Sequence, residues 1–162
     1  MFPRRHPAVE LKGTHVGLGV FTRQAFRRCQ IVGDICGKVV ESETYDSPYC
    51  MEFGPGRALE PMGVFRFLNH SCDPNCELFY YEPATGDDYR ELPDRLWLKS
   101  LRCITIGEEL TIDYGWPAKR AIPCLCRAAN CRGWIVAADE LPLIASAPRA
   151  PSDLPDPFQF AI

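Results

Sequence analysis

The sequence predicts a mainly β fold of short strands with few short helices. Short runs of branched and aromatic residues alternate with turn residues along most of the chain, and we find no long amphipathic helical pattern. The 15 prolines and 12 glycines divide the 162 residues into segments of strand length. A chain near this size buries roughly 70% of its unfolded surface, so we expect one domain with a substantial core.

Strand signals recur in order along the chain. Branched and aromatic runs, some of them alternating with polar residues, predict strands at residues 9–11, 17–22, 31–35, 38–40, 76–81 and 96–101. We expect the last two to form a hairpin with a long connection. Residues 45–63 contain six glycines and prolines and are expected to be mostly loop. Five prolines among alanines and serines indicate an extended or disordered tail over residues 137–162.

Composition excludes several classes of protein. No apolar run reaches the roughly 20 residues that span a membrane, and the basic N-terminal residues are not followed by the apolar segment of a secretory signal. We therefore expect an intracellular protein that does not engage a membrane. The net charge of −3 comes without a basic stripe, so we expect no direct binding of nucleic acid.

Nine cysteines without a secretory signal favour metal binding and buried thiols over a disulfide framework. In an extended chain residues i and i+2 face the same way, so Cys124 and Cys126 would present two thiolates together. Cys131 returns after a short turn. Structural zinc takes four ligands at about 2.3 Å, so a fourth ligand must come from elsewhere in the chain.

Two segments, in this order, carry the strongest functional signal. Residues 66–75 read Arg-Phe-Leu-Asn-His-Ser-Cys-Asp-Pro-Asn, and residues 107–114 read Gly-Glu-Glu-Leu-Thr-Ile-Asp-Tyr. Together with the glycine-led strand at residues 17–21 and the cysteine-containing residues 124–134, they resemble the signature segments of the SET-domain family. The resemblance covers roughly residues 6–135, and four segments in the right order are far more specific than any one of them.

This resemblance implies a fold and an activity. The fold is the SET-domain (β-clip) fold of small curved sheets, in which a pseudoknot brings the asparagine–histidine and tyrosine segments together. We expect a SET domain at residues 6–116 and a post-SET zinc-binding segment at residues 117–136. The family transfers methyl groups from S-adenosylmethionine to a lysine ε-amine of a protein, so we expect a protein-lysine N-methyltransferase.

The resemblance also implies site residues. Tyr114 ends the family's tyrosine segment and would be the catalytic tyrosine, hydrogen-bonded near the target amine. The residues expected to bind the cofactor are Gly17, Leu18, Gly19, Tyr45, Arg66, Phe67, Asn69, His70, Tyr114, Leu125 and Trp134. Tyr45 is a looser match than the others, and a packed-core role is an equal contender for Trp134.

Zinc and the lysine channel complete the expected site. In the family the fourth zinc ligand is the cysteine after the asparagine–histidine–serine triplet, which implies Cys72 with Cys124, Cys126 and Cys131; Cys76 and Cys103 are the competing donors. The expected channel residues are Leu78, Ile112 and Trp116. Because Leu78 and Ile112 lack the hydroxyl that restricts some relatives, we expect products beyond monomethyl-lysine.

The substrate is expected to be a histone or another basic protein, and the enzyme a monomer or weak oligomer. It would act in the nucleus if the organism is eukaryotic and in the cytoplasm if bacterial. Two alternatives are a non-catalytic SET-fold interaction module that keeps its zinc, and a zinc-dependent scaffold that binds no cofactor. The presence of Tyr114, Asn69, His70 and both glycines favours the enzyme.

Overall fold

The computed structural model describes residues 6–42, 45, 47–54, 56–80 and 95–145. Within these residues the chain forms twelve strands: β1 (Val9–Thr14), β2 (Gly17–Thr22), β3 (Ile31–Ile35), β4 (Gly37–Glu41), β5 (Met51–Glu52), β6 (Arg57–Pro61), β7 (Asn69–His70), β8 (Cys76–Phe79), β9 (Leu96–Ser100), β10 (Glu109–Ile112), β11 (Ile122–Pro123) and β12 (Trp134–Ile135). The mainly β prediction is confirmed. A strand lies at each predicted position, although β8 ends at Phe79 and β9 at Ser100, earlier than the predicted residues 81 and 101, of which residue 81 lies outside the described residues.

Four small sheets make up the described part of the chain. The first has the order β1-β2-β10-β7, in which β1 and β2 form a hairpin, and the others have the orders β3-β9-β8, β4-β6-β5 and β11-β12. The expected hairpin is present, because β8 pairs antiparallel with β9. Its connection, residues 81–94, lies outside the described residues.

Residues 45–63 are more regular than we expected. β6 pairs along its whole length with β4, and the short β5 pairs with its other side. The glycines and prolines of this region fall at or outside the ends of β6, where they do not interrupt its ladder. The expectation of mostly loop was therefore wrong for residues 57–61.

Helices are few and short among the described residues. Val64–Phe67 and Ala118–Arg120 form single 3₁₀ turns, and α1 spans Leu141–Ala145. α1 lies where we expected an extended tail, and the Glu140 carboxylate just before it accepts a hydrogen bond of 2.7 Å from the Ala118 amide. Residues 146–162 of the expected tail lie outside the described residues. None of the described helices is long and apolar enough to cross a membrane.

A parallel pairing brings the two signature segments together. Thr111 and Ile112 of β10 pair with Asn69 and His70 of β7, some 40 residues earlier in the chain. The buried Asn75 amide reinforces this junction by donating to the Glu109 carbonyl at 2.7 Å and accepting from the Thr111 amide at 2.9 Å. Asn75, the last residue of the first signature segment, therefore connects two distant parts of the chain. The core beneath, which includes Val20, Leu98 and Leu110, is almost fully buried.

Candidate active site and metal centre

A cavity of about 550 Å³ lies where the first sheet meets the C-terminal segment. Its walls come from the β1–β2 turn, the end of the first 3₁₀ turn, β7, β10 and β11. The lining residues are His15, Val16, Gly17, Leu18, Pro48, Tyr49, Arg66, Phe67, Leu68, Asn69, His70, Ser71, Glu109, Thr111, Tyr114, Trp116, Ile122, Pro123, Cys124, Leu125, Cys126 and Ile135. A volume of this size suits a small organic ligand.

Tyr114 lies in the wall of the cavity with its hydroxyl anchored. The phenol donates a hydrogen bond of 2.7 Å to the Leu68 carbonyl, and its ring lies 5.3 Å from that of Trp116. Burial raises the pKa of Tyr114 well above its ordinary value of 10. The phenol is therefore neutral at physiological pH, and since its proton is held by Leu68, its oxygen offers lone pairs rather than a proton.

Both protons of the Asn69 side-chain amide are donated in hydrogen bonds within the protein. Its Nδ2 donates to the Leu18 carbonyl at 3.1 Å and to Glu109 Oε1 at 2.7 Å. Asn69 thus offers a ligand its Oδ1, an acceptor. Gly19 makes this arrangement possible, because a Cβ there would lie 3.0 Å from Asn69 Nδ2 and would collide with the Glu109 carboxylate.

His70 connects the tyrosine segment to the cysteines. Its ring accepts a hydrogen bond of 3.2 Å at Nδ1 from the Tyr114 amide, which assigns the remaining proton to Nε2, 3.4 Å from Cys72 Sγ. Burial lowers the pKa of His70 to about 4, against the opposing effect of Asp113. The ring is therefore neutral at physiological pH, and it connects the Tyr114 backbone to Cys72.

Arg66 faces the cavity within a polar cluster. Its guanidinium lies 3.7 Å above the centre of the Tyr49 ring and 2.5 Å from Glu60 Oε1. Tyr45 is part of the same cluster, since its hydroxyl donates to Glu60 Oε2 at 3.2 Å. Arg66 provides a positive charge at the cavity wall, and Tyr49 holds it in place.

Four cysteines converge beside the cavity. The sulfurs of Cys72, Cys124, Cys126 and Cys131 all lie within 4.8 Å of one another, with Cys72 Sγ 3.8 Å from that of Cys124 and 4.0 Å from that of Cys131. A tetrahedral site with zinc–sulfur bonds of about 2.3 Å separates its sulfurs by about 3.8 Å. Burial raises the pKa of Cys72 and of Cys124. A bound cation would favour the deprotonated thiolates that this burial disfavours.

The structure brings together most of the residues that the sequence singled out. Among the expected cofactor residues, Gly17, Leu18, Arg66, Phe67, Asn69, His70, Tyr114 and Leu125 line the cavity, and Trp116 of the expected channel lines it too. The four expected metal ligands form the cysteine cluster, whereas Cys76 is buried elsewhere in β8 and Cys103 is exposed.

Five expected site residues lie outside the cavity lining. Gly19 acts through Asn69 and Glu109, Tyr45 contacts Glu60, and Trp134 pairs with Pro123 across β11 and β12. Ile112 is buried in the core, and Leu78 packs against that core. Their roles at the site stay predictions.

Several lining residues were not foreseen. His15 contacts the Leu125 carbonyl at 2.7 Å, and Glu109 accepts a hydrogen bond from the Asn69 amide. Glu109 lies inside the tyrosine segment, residues 107–114, so that motif could have indicated it as a site residue. No pattern in the sequence distinguishes Tyr49 from the nearby Tyr45, or indicates that the β1–β2 turn reaches Leu125.

Comparison with known proteins decides the family. The SET domain model matches residues 17–115, which is more than half of the chain. The chain belongs to the SET-domain family. The cysteine cluster, which joins Cys72 of this SET domain to three cysteines that follow the domain, is consistent with a post-SET zinc site.

The relatives of this SET domain are histone-lysine methyltransferases by name. Histone-lysine N-methyltransferase SETD1B of Xenopus laevis is 35% identical over 108 residues, which cover 64% of this chain and 5% of that protein. Histone-lysine N-methyltransferase, H3 lysine-4 specific, of Saccharomyces cerevisiae is 36% identical over 77 residues, covering 45% and 6%. The chain thus spans a small fraction of the length of these relatives.

A solved structure confirms the SET fold. The crystal structure of KRYPTONITE in complex with mCHG DNA and SAH matches this SET domain with a TM-score of 0.65 and 26% identity, covering 82% of this chain and 30% of that one.

Proposed function

We propose that this chain is a protein-lysine N-methyltransferase that uses S-adenosylmethionine and carries one structural zinc ion. The observation that carries the proposal is the position of Tyr114, whose anchored phenol lies in the wall of a ligand-sized cavity between the asparagine–histidine segment and the cysteine cluster. The names of the relatives and the SAH in the KRYPTONITE structure support it.

The cavity suits the cofactor in charge and shape. The guanidinium of Arg66 can pair with a carboxylate, and Asn69 Oδ1 and the Glu109 carboxylate can accept from an ammonium group. Gly17 and Leu18 line the cavity, and because Gly17 has no side chain, its backbone is open to close approach by a ligand. The apolar side chains of Phe67, Leu125 and Ile135 are suited to packing against an aromatic base.

The residues of this chain position the reaction rather than supply a base. The bound cofactor supplies a methyl group on a positively charged sulfur. Tyr114 offers phenol lone pairs where an amine N–H or a methyl C–H can be received. A free lysine has a pKa near 10.4, and apolar surroundings such as Trp116 and Leu68 favour its neutral, nucleophilic form. Holding that amine in line with the methyl group is the main contribution of the site.

Zinc would be structural. Four thiolates complete a tetrahedron and leave no open position for a substrate or water. By joining Cys72 to residues 124–131, the ion would hold Cys124, Leu125 and Cys126 against the cavity that they line.

The substrate is a lysine in a histone or in another basic protein. The printed names of the relatives favour a histone and, if the organism is eukaryotic, the nucleus; in a bacterium the enzyme would act in the cytoplasm. The net charge of −3 suits a basic substrate and not direct binding of nucleic acid. The chain would act as a monomer or weak oligomer.

Incubation with methyl-labelled S-adenosylmethionine and a panel of histones and other basic proteins tests the proposal. We expect label on lysine in at least one protein, and little label with Tyr114→Phe. Binding of the cofactor without transfer to any protein would instead favour the non-catalytic interaction module. Absence of cofactor binding would leave only a zinc-dependent scaffold.

A further inference from the structure

An ion pair joins the cysteine segment, residues 122–136, to the residue that follows β10 and precedes Tyr114. Asp113 directly precedes the tyrosine, and Arg132 directly follows the cysteine cluster. The guanidinium holds the carboxylate at two points, with Nη1 2.8 Å from Oδ2 and Nη2 2.8 Å from Oδ1. Such two-point contact fixes orientation as well as distance, because both groups are planar.

Arg132 also makes hydrogen bonds close to the cysteine cluster. Its Nη2 donates to the Val136 carbonyl at 3.0 Å, and its backbone amide donates to Cys72 Sγ at 3.4 Å. The Arg132 side chain is only 15% exposed. Asp113 is 33% exposed and also lies 3.5 Å from His70 Nδ1. Since that nitrogen accepts from the Tyr114 amide, the carboxylate's charge partner is Arg132.

Several links to the SET domain constrain the segment more than one would. The cysteine cluster attaches it at Cys72, and His15 contacts the Leu125 carbonyl at 2.7 Å. The ion pair attaches it again, at Asp113, just after the last cysteine of the cluster. The side chains on either side of these links, from Ile122 to Cys126 together with Ile135, line the cavity. Their placement therefore depends on the ion pair as well as on the cysteines.

We propose that the Asp113–Arg132 ion pair is a latch that closes the cysteine segment over the cofactor cavity and sets the position of Tyr114. Both are positioning residues, because neither lines the cavity. The inference rests on the proposed function for what the cavity holds, but the latch itself is a property of the fold. Breaking it loosens the cofactor and lets the segment open, while the metal stays bound by its four sulfurs.

Three variants test the latch. Asp113→Asn keeps the shape and removes the charge, Arg132→Met removes the guanidinium, and Arg132→Lys keeps the charge without the planar fork. We expect the first two to weaken S-adenosylhomocysteine binding by about tenfold, the factor that corresponds to one charge-assisted hydrogen bond. The lysine variant should fall between them and the wild type. Zinc content, by metal analysis, should stay at the wild-type level in all three.

A double variant separates a latch from two independent effects. If the pair acts as a unit, Asp113→Asn combined with Arg132→Met should be little worse than either change alone. Additive losses would overturn the proposal, as would unchanged binding in the single variants or loss of zinc from them. Glu10→Gln is the matched control, because it removes a carboxylate from the exposed contact with Arg23 and should change nothing at the site.

Amide hydrogen exchange tests the latch in the absence of cofactor. Amides of residues 122–136 should exchange faster in Asp113→Asn than in the wild type, while those of β8 and β9 should not change. If the wild type bound no S-adenosylhomocysteine but this difference appeared, the proposed function would fail and the latch would stand. If the cofactor bound and the exchange rates were equal, the latch would fail alone.

Discussion

Tyr114 and Asn69 define the chemistry of the site at the scale of single residues. Each has its hydrogen-bond donors fixed by the protein, the phenol by Leu68 and the amide by Leu18 and Glu109. What each presents to the cavity is therefore an acceptor oxygen. An ammonium group, an amine and a methyl group beside a positive sulfur all offer hydrogens that such oxygens can receive.

Replacing Tyr114 by phenylalanine should lower turnover by about 10²-fold, since a preorganised polar contact to the reacting groups is lost. Affinity for S-adenosylhomocysteine should stay close to that of the wild type, because the ring and its contact with Trp116 are kept. Steady-state kinetics and calorimetry measure the two effects. Tyr49→Phe is the control for a cavity tyrosine whose hydroxyl has no assigned part in the chemistry. Equal turnover of Tyr114→Phe and wild type would remove Tyr114 from the catalytic role.

The number of methyl groups added depends on single side chains near the amine. The apolar Leu78 and Ile112 predict products beyond monomethyl-lysine. In the structure Ile112 belongs to the core, so Ile112→Tyr is informative only if the variant still binds S-adenosylhomocysteine. Mass spectrometry of a fully reacted substrate decides the matter. Monomethyl product alone at long times, unaffected by Ile112→Tyr, would mean that other residues set the channel width.

Residues inside the two signature segments were the ones that the sequence located well. Asn69, His70 and Tyr114 line the cavity as those segments implied, and Cys72 joins the other three cysteines. Tyr45 does not line the cavity and comes from a stretch where the resemblance is loose, whereas Trp134, inside a signature segment, pairs with the lining residue Pro123 without lining the cavity itself. A shift of a few residues in the loop containing Tyr49 changes which aromatic ring reaches the cavity, and no local pattern reveals it.

At the scale of elements, the cysteine segment depends on contacts between distant parts of the chain. Cys72 Sγ lies next to sulfurs more than 50 residues later, and β11 pairs with β12 within the segment. Two-residue strands of this kind are too short to be stable alone. We therefore expect the order of this segment to depend on the metal.

Replacing Cys72 by serine should release the zinc and disorder the chain after Pro123, because metal binding and local folding are coupled. Metal analysis should give one zinc per wild-type chain and a clear loss in the variant. Cys103→Ser, at an exposed cysteine outside the cluster, is the matched control. Full metal content in Cys72→Ser, with loss in Cys76→Ser, would move the fourth ligand to Cys76.

The turn before β10 is stabilised by Glu108. Although burial opposes its charge, the Arg102 guanidinium at 2.6 Å, the Thr105 amide and the Asn75 amide hold the pKa of Glu108 at about 2, below its ordinary value of 4.5. A carboxyl with a lowered pKa contributes stability above pH 4.5 and loses that contribution as the pH falls towards about 2.

Glu108→Gln should therefore lower the free energy of unfolding at pH 7, by about 1 kcal/mol for a partly exposed charge pair. The difference from the wild type should shrink as the pH is lowered below 4.5. Denaturant titrations at several pH values provide the measurement. Glu77→Gln, at a more exposed carboxylate that pairs with Lys99, is the control. A difference that stays constant down to pH 2 would show that the charge of Glu108 is not what stabilises the turn.

Strand positions were predictable from local patterns, but their arrangement was not. Alternation and branched residues located β2, β3, β8 and β9, whereas the parallel pairing of β7 with β10 joins segments some 40 residues apart. A two-residue strand such as β7 carries no periodicity from which such a partner could be inferred. That arrangement entered through the family resemblance, and the structure agrees with it.

At the scale of the whole molecule, the cavity is closed by parts of the chain that are brought together by the fold. The SET domain and the cysteine segment both contribute lining residues, and the cysteine cluster and the Asp113–Arg132 ion pair join the two. The match covers only 5% of the length of the Xenopus laevis relative.

Calorimetric titration of S-adenosylhomocysteine into the zinc-loaded wild type and Asn69→Ala tests the account most directly. We predict one molecule bound per wild-type chain, and binding weaker by about 1–3 kcal/mol in Asn69→Ala, because a hydrogen-bond acceptor in the cavity wall is lost. Asn130→Ala, at an exposed position of the cysteine segment, should bind like the wild type. No binding by the wild type, or equal affinity in Asn69→Ala, would contradict the assignment of the cavity to the cofactor.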